Sequence, residues 1–356
     1  PEAHLHPALQ YKLLKYLRRR IGKDISEDAK SRQVFITTHS TQVTSACDLD
    51  DIVCLTSPAA PGESPGVAYP GRVFDSSTPE GKNSKGYVER FLDATKSSML
   101  FAKAVILAEG TAEQLLLPQL AELCGKPLEE NHIALVTVGG STAKHFLPLF
   151  GACPAERQKF ALRRRVACLA DADPSRKEKA ATRGGFKSCF PYLIDGDPAR
   201  YEYRSQSPVI AMLRTMTAGS GNIQVFTNTK TLEYDLAHAN PKAEILVTAE
   251  QQGADELRAF CVSGDSVSAV HEAELEDDEA SSLAAMGPDD DRLRARFASY
   301  YLKAVADGKG AHALELANAL REAGAASGLV VPRYVQDALE FVGAVEPEAA
   351  DKLLDA

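Results

Sequence analysis

The sequence predicts an α/β protein: a parallel sheet flanked by helices, followed by a mainly helical part. Three observations carry this. Four short apolar runs, residues 104–108 (AVILA), 133–138 (IALVTV), 165–170 (RVACLA) and 222–227 (NIQVFT), alternate with stretches of helical periodicity, the pattern of strands buried on both faces. With 44% hydrophobic and 25% charged residues, the composition is that of a folded globular chain and excludes a disordered or fibrous one. The longest unbroken apolar runs, such as 104–108 and 115–118, fall far short of the roughly 20 residues that span a bilayer, which excludes a membrane helix. A length of 356 residues suits two or three domains.

The elements follow in order. Residues 9–20 place Leu9, Leu13, Leu14 and Leu17 at helical spacing, an amphipathic helix. Residues 33–38 (QVFITT) and 51–55 (DIVCL) read as short strands, residues 58–70 and 76–84 as loops rich in Pro, Gly and Ser, and residues 87–101 as a helix. After the run at 104–108, a helix is expected over 111–123, with Thr111-x-x-Gln114 as its capping box. Gly139 and Gly140 close the second strand, and Asp171-Ala-Asp173-Pro174 ends the third. Residues 175–220 break the rhythm and read as an insert. Helical periodicity returns over 232–237, 293–305 and 312–320. The chain opens at Pro1 without a leader pattern, which suggests a piece of something longer. Seven cysteines, odd in number and without a C-x-x-C pair, suit reduced thiols in the cytoplasm.

The net charge of −9 is unevenly distributed: residues 1–240 carry +4 and residues 241–356 carry −13. Residues 157–187 hold ten Lys and Arg, among them Arg163, Arg164, Arg165 and Lys177, against three acids. Such a stretch would attract a phosphate backbone, or simply be a solvated face.

In parallel α/β sheets ligands bind beyond the carboxyl ends of the strands. Acids stand there. Glu109 caps the first strand, Glu113 lies in the first turn of the next helix, and Asp171 and Asp173 follow the third strand. The last two are expected to point the same way by the two-residue period of a strand. Bare carboxylates at one edge repel; a divalent cation relieves the repulsion, and oxygen donors suit Mg²⁺ or Mn²⁺ rather than zinc. Singly, each acid also has an ordinary role, as a first-turn acid, a loop charge or a turn former. His132, alone before the second strand, reads as structural.

The runs ILAEGTAEQLLLPQL, VTVGG and CLADADP resemble a Toprim domain, the metal-dependent catalytic fold of topoisomerases, primases and certain nucleases, with one Glu after strand one and D-x-D after strand three. The segment PEAHLHP resembles the residues that follow the Walker B acids of ABC-type ATPases, with Glu2 among them, and QVFITTHS resembles their switch histidine, His39. An ATPase tail followed by Toprim, with the junction LDATKSSMLFAKAVILAEG, resembles the OLD (overcoming lysogenization defect) family of ATPase-nucleases.

That resemblance implies an ATPase remnant over 1–60, a connector over 61–100, a Toprim core over 101–240 with its insert near 175–220, an acidic helical domain over 241–325 and a carboxy-terminal segment over 326–356. It implies a DNA endonuclease using two divalent ions, Mg²⁺ or Mn²⁺, held by Glu109, Glu113, Asp171, Asp173 and Glu233. Lys309, in the Gly308-Lys309-Gly310 turn, would join Glu109 as a catalytic residue by offsetting charge on the phosphate. Gly139 and Gly140 would let the backbone approach DNA, bound through Arg163, Arg164, Arg165 and Lys177. It also implies a homodimer through the ATPase domain. The sequence departs from the family in lacking a G-x-x-x-x-G-K-[ST] phosphate loop, so ATP hydrolysis is not expected. Rival readings are a topoisomerase or primase, or a degenerate Toprim serving as a DNA-binding or dimerisation module.

Overall fold

The computed structural model describes residues 5–23, 34–56, 64–93, 95–180, 184–249, 251–263, 275–287 and 289–343. Glu2 lies outside them, as do part of the 58–70 loop and the end of the carboxy-terminal segment. Helix α1 (Pro7–Lys23) matches the predicted amphipathic helix and rests on α2 (Thr41–Ser45), which Ser40 caps by accepting from the Val43 amide. Residues 34–38, expected as a strand, form none; Val34 and Phe35 are exposed. Their composition favours extended backbone, but a strand needs a ladder partner, and the described residues place none beside them.

Strands β1 (Cys54–Thr56) and β2 (Gly66–Ala68) pair antiparallel as a small hairpin. Helix α3 (Pro79–Phe91) begins inside the expected 76–84 loop. The Ser, Pro and Gly residues there are a helix start rather than a loop: Thr78 Oγ1 accepts from the Gly81 amide at 3.1 Å and Pro79 occupies the first helical position. The helix expected over 87–101 therefore stops at Phe91, and a 3₁₀ turn (Lys96–Leu100) leads into the sheet.

The central sheet is built from β3 (Ala104–Ala108), β4 (Ile133–Thr137), β5 (Arg165–Ala170) and, later in the chain, a fourth strand at Ile223–Thr227. All pairs are parallel and the order is β4-β3-β5-fourth strand. Helices α4 (Thr111–Leu123) and α5 (Ala143–Phe146) follow β3 and β4. The insert after β5 is a three-stranded antiparallel sheet of β6 (Ser175–Glu178), β7 (Lys187–Ser188) and β8 (Tyr201–Arg204), with β6 central. Helix α6 (Pro208–Thr217), which composition assigned to the insert, is the crossover helix that packs on the fourth strand, β9. Its Ile210 and Leu213 join the core beneath the sheet.

Among the described residues the rest of the chain is mainly helical: α7 (Leu232–Ala239), α8 (Ala254–Ser263), α9 (Asp277–Ala285), α10 (Asp289–Val305), α11 (Lys309–Ala323) and α12 (Arg333–Gly343). Strand alternation divides the core into two layers. Ala104, Ile106, Ala108, Ala167 and Leu169 face Leu116, Leu236, Phe297, Tyr301, Leu316 and Val335 from α4, α7, α10, α11 and α12. Val105, Leu107, Val166, Cys168 and Ala170 face Val88, Phe146, Ile210 and Leu213. The helices of the acidic half thus share one core with the sheet, each fully buried Leu or Phe contributing about 2 kcal/mol. Helix α12 lies across β3, β5 and β9. No helix among the described residues is long and apolar enough to cross a membrane.

Candidate active site at the carboxyl edge of the sheet

The parallel register brings the strand ends together: Ala108 pairs with Thr137, Leu107 with Cys168, and Ala170 with Thr227. Residues one step beyond share an edge. There Glu109 Oε1 accepts from the Asp171 amide at 3.2 Å. Glu113, only 8% exposed, folds back so that Oε2 accepts from the Gly110 amide at 3.0 Å. The first residue outside α4 is therefore Gly110, and Glu113 rather than Gln114 closes the turn; Gln114 instead accepts from Thr137 Oγ1. Glu233, 5% exposed in the first turn of α7, pairs with Lys309 Nζ at 3.1 Å. Lys309 is not in a free turn but is the first residue of α11, where the helix dipole disfavours a cation. The ion pair with Glu233 is what holds it there.

Glu109, Glu113, Asp171 and Glu233 feel one another. Burial pushes the Asp171 carboxyl up to about 8, and repulsion from Glu113, Glu109 and Glu233 adds to it against the hydrogen bond from Asn228. Burial also raises Glu109, with Glu113 and Asp173 contributing repulsion. Glu113 is raised by burial and by Glu233, while Lys309 opposes the shift. Asp173 does not continue the strand alternation: its φ is +43°, the chain turns before Pro174, and its side chain is exposed. Asp171 and Asp173 therefore do not point the same way by strand period, although Asp173 remains close enough to act on Glu109.

Gly139 and Gly140 have φ of +70° and +31°, and a Cβ at Gly140 would lie 3.7 Å from Glu109 Oε2. This loop borders the acids directly. Lys177 sits in β6 of the insert, opposite Glu202. Arg163, Arg164 and Arg165 are elsewhere: they lead into β5, whose opposite end carries Asp171, a separation of about 20 Å at the rise of a strand. Arg164 donates to the Ala102 carbonyl, and Arg165 donates to the Phe341 carbonyl at 3.0 Å while lying over the Phe341 ring. Arg164 and Arg165 thus tie the amino ends of the strands to neighbouring backbone, at the end of the sheet away from the acids. Arg165→Ala should destabilise the fold by about 1–2 kcal/mol, the worth of a hydrogen bond plus a cation–π contact. A urea melt showing no loss would remove this structural role. His39 is exposed near the Phe101 ring, 6.4 Å between centroids; His132, also exposed, accepts the Lys103 amide through its carbonyl.

Residues not anticipated complete the edge. Asn228 follows β9 and hydrogen-bonds Asp171; the strand-end rule, applied to the fourth strand as well as the first three, would have found it. Lys230 is buried, donating to Ser188 Oγ and the Cys189 carbonyl at 2.9 Å each, so that it ties the insert to the edge, and burial lowers its pKa despite nearby Asp173. Burial raises the Tyr334 hydroxyl of α12 well above its ordinary value, and nearby Asp171 adds to the shift. No motif marks either.

Among the described residues no three His, Cys, Asp or Glu side chains converge as a finished metal site. Their oxygens are instead taken up by the Gly110 and Asp171 amides, Asn228 and Lys309. The donor set nevertheless fits a hard divalent cation, because it is all carboxylate, and burial, with mutual repulsion adding to it, raises Glu109, Glu113 and Asp171.

The chain matches no curated protein. It is similar in structure to the C-terminal region of the OLD protein of Burkholderia pseudomallei, at 20% identity and a TM-score of 0.36, covering 68% of this chain and 97% of that one. It is likewise similar to the C-terminal region of the OLD protein of Xanthomonas campestris pv. campestris, at 21% identity and a TM-score of 0.35, covering 69% and 94%. Residues 100–173 match the family model described as overcoming lysogenization defect protein-like, Toprim domain. That match spans β3 to the Asp171–Asp173 turn, so the chain carries an OLD-like Toprim domain.

Proposed function

We propose that the chain is a divalent-metal-dependent DNA endonuclease, the nuclease half of a longer ATPase-nuclease. One observation carries this: four carboxylates from three strand ends meet at one sheet edge, three of them, Glu109, Glu113 and Asp171, raised in pKa by burial and repulsion, and the fourth, Glu233, ion-paired to a lysine. A domain that only bound DNA would gain nothing from keeping that repulsion.

Glu109, Glu113, Asp171, Asp173 and Glu233 would hold two ions, Mg²⁺ or Mn²⁺. Bound there, such ions supply an activated water and stabilise charge on the leaving oxygen. The chain's own groups do the rest. Lys309 places a fixed positive charge at the acid edge, where it would offset charge developing on the phosphate. Glu233 keeps that ammonium in place. Gly140 leaves room beside Glu109 that a side chain would narrow, and with Gly139 it would let a DNA strand approach the backbone closely. Lys177 stands in the insert that Lys230 anchors to this edge, and would meet the DNA backbone. The residues around His39 are the end of the ATPase domain in this reading, and that domain would be where a homodimer forms.

Incubating supercoiled plasmid with the protein and Mg²⁺ or Mn²⁺, without ATP, should yield nicked and then linear DNA. Equal cutting in EDTA would overturn the metal-dependent reading, and a need for ATP would overturn the assignment of catalysis to this part.

A further inference from the structure

Asn228 is the residue just past the tip of β9, brought opposite Asp171 by the pairing of Thr227 with Ala170. Only 5% exposed, its carboxamide is used at both ends on one turn. Oδ1 accepts from the Ala172 amide at 2.9 Å, and Nδ2 donates to Asp171 Oδ1. The first bond fixes the backbone between Asp171 and Asp173; the second fixes the rotation of the Asp171 carboxylate. Tyr334 of α12 stands close enough to Asp171 for the two to interact electrostatically.

A buried carboxamide is costly unless fully bonded, and an apolar side chain would tie β5 to β9 as well. What Asn228 adds is direction. With Oδ1 engaged by a donor on one side, the carboxylate cannot rotate freely, and Oδ2 is the oxygen left for another partner. Groups that hydrogen-bond metal-ligating carboxylates act in this way, fixing the ligand before the ion arrives.

We propose that Asn228 is a positioning residue that orients Asp171 to receive a divalent cation. This rests on the reading of Asp171 as a metal ligand given above.

The test is Mn²⁺ binding to the metal-free whole chain, followed by electron paramagnetic resonance without DNA, alongside thermal melts. Asn228→Leu, close in size and unable to hydrogen-bond, should weaken Mn²⁺ binding about 10- to 100-fold, the range for outer partners of metal ligands. It should also shrink the rise in melting temperature that Mn²⁺ gives the wild type. Asn228→Ser, which keeps a short donor, should fall between the two. A folded Asn228→Leu protein with the wild-type Mn²⁺ dissociation constant overturns the inference. If Asn228→Leu does not fold, Asn228→Ser decides, and an unchanged dissociation constant overturns it. A wild type that binds Mn²⁺ and never cuts DNA overturns the nuclease reading alone and leaves this inference standing.

Discussion

Asp171→Asn should abolish plasmid cutting, by more than about 10²-fold, and at the same time make the metal-free protein more stable at pH 8. Both effects have one cause. The folded protein raises the Asp171 carboxyl to about 8, against about 3.9 in an unfolded chain. Between those values the folded state binds the extra proton, so this group's contribution to stability is whole below about pH 4 and is lost as the pH rises through about 8. An amide cannot ionise and escapes that loss. It also keeps an oxygen where Asn228 donates. Asp171→Asn should therefore exceed the wild type by about 2 kcal/mol at pH 8, a figure reduced from the full shift because four acids share the repulsion. The advantage should vanish near pH 4. Added Mn²⁺ should reverse the order by stabilising the wild type and not the variant. Urea melts at both pH values check this, and a variant several kcal/mol less stable than wild type at pH 8 would make Asp171 a structural residue instead.

Lys309→Ala should slow single-turnover cleavage on the order of 10²-fold at saturating DNA and metal, the scale of removing one fixed stabilising charge. The dissociation constant for DNA should move little, because one half-exposed lysine among acids contributes little to long-range attraction. The structure adds a consequence that a lysine in a free turn would not have. Glu233 is buried and Lys309 is its ion-pair partner, so the variant leaves an uncompensated carboxylate and should melt at a lower temperature without metal. Mn²⁺ should restore much of that loss by compensating Glu233. A variant that loses DNA affinity but cuts at the wild-type rate once saturated would reduce Lys309 to a backbone contact.

The four parallel strands and the acids at their tips were legible because apolar runs and strand-end position are local properties. Glu109, Glu113 and Asp171 could be placed from that rule alone, and Glu233 and Lys309 from the family resemblance. What sequence could not give is pairing at a distance. Arg163, Arg164 and Arg165 look like a phosphate-binding run, yet Arg165 is used 176 positions away on Phe341, and charge alone does not say which end of a strand a residue guards. The strand over 33–38 failed for the same reason, since propensity cannot supply a neighbour. Asp173 departed from alternation because a left-handed turn intervenes before Pro174. Helix α3 hid behind Ser, Pro and Gly that act as a cap. Lys230 had no signal at all: its role exists only because the insert folds back onto the edge.

The most direct measurement counts Mn²⁺ ions bound to the metal-free protein by electron paramagnetic resonance, in the wild type and in a Glu109→Gln, Asp171→Asn double variant. Two ions per wild-type chain are predicted, and neither should bind the folded double variant at the same concentration. Binding by the double variant equal to that of the wild type, or no binding by the wild type, would contradict the claim that this edge is a metal-dependent active site.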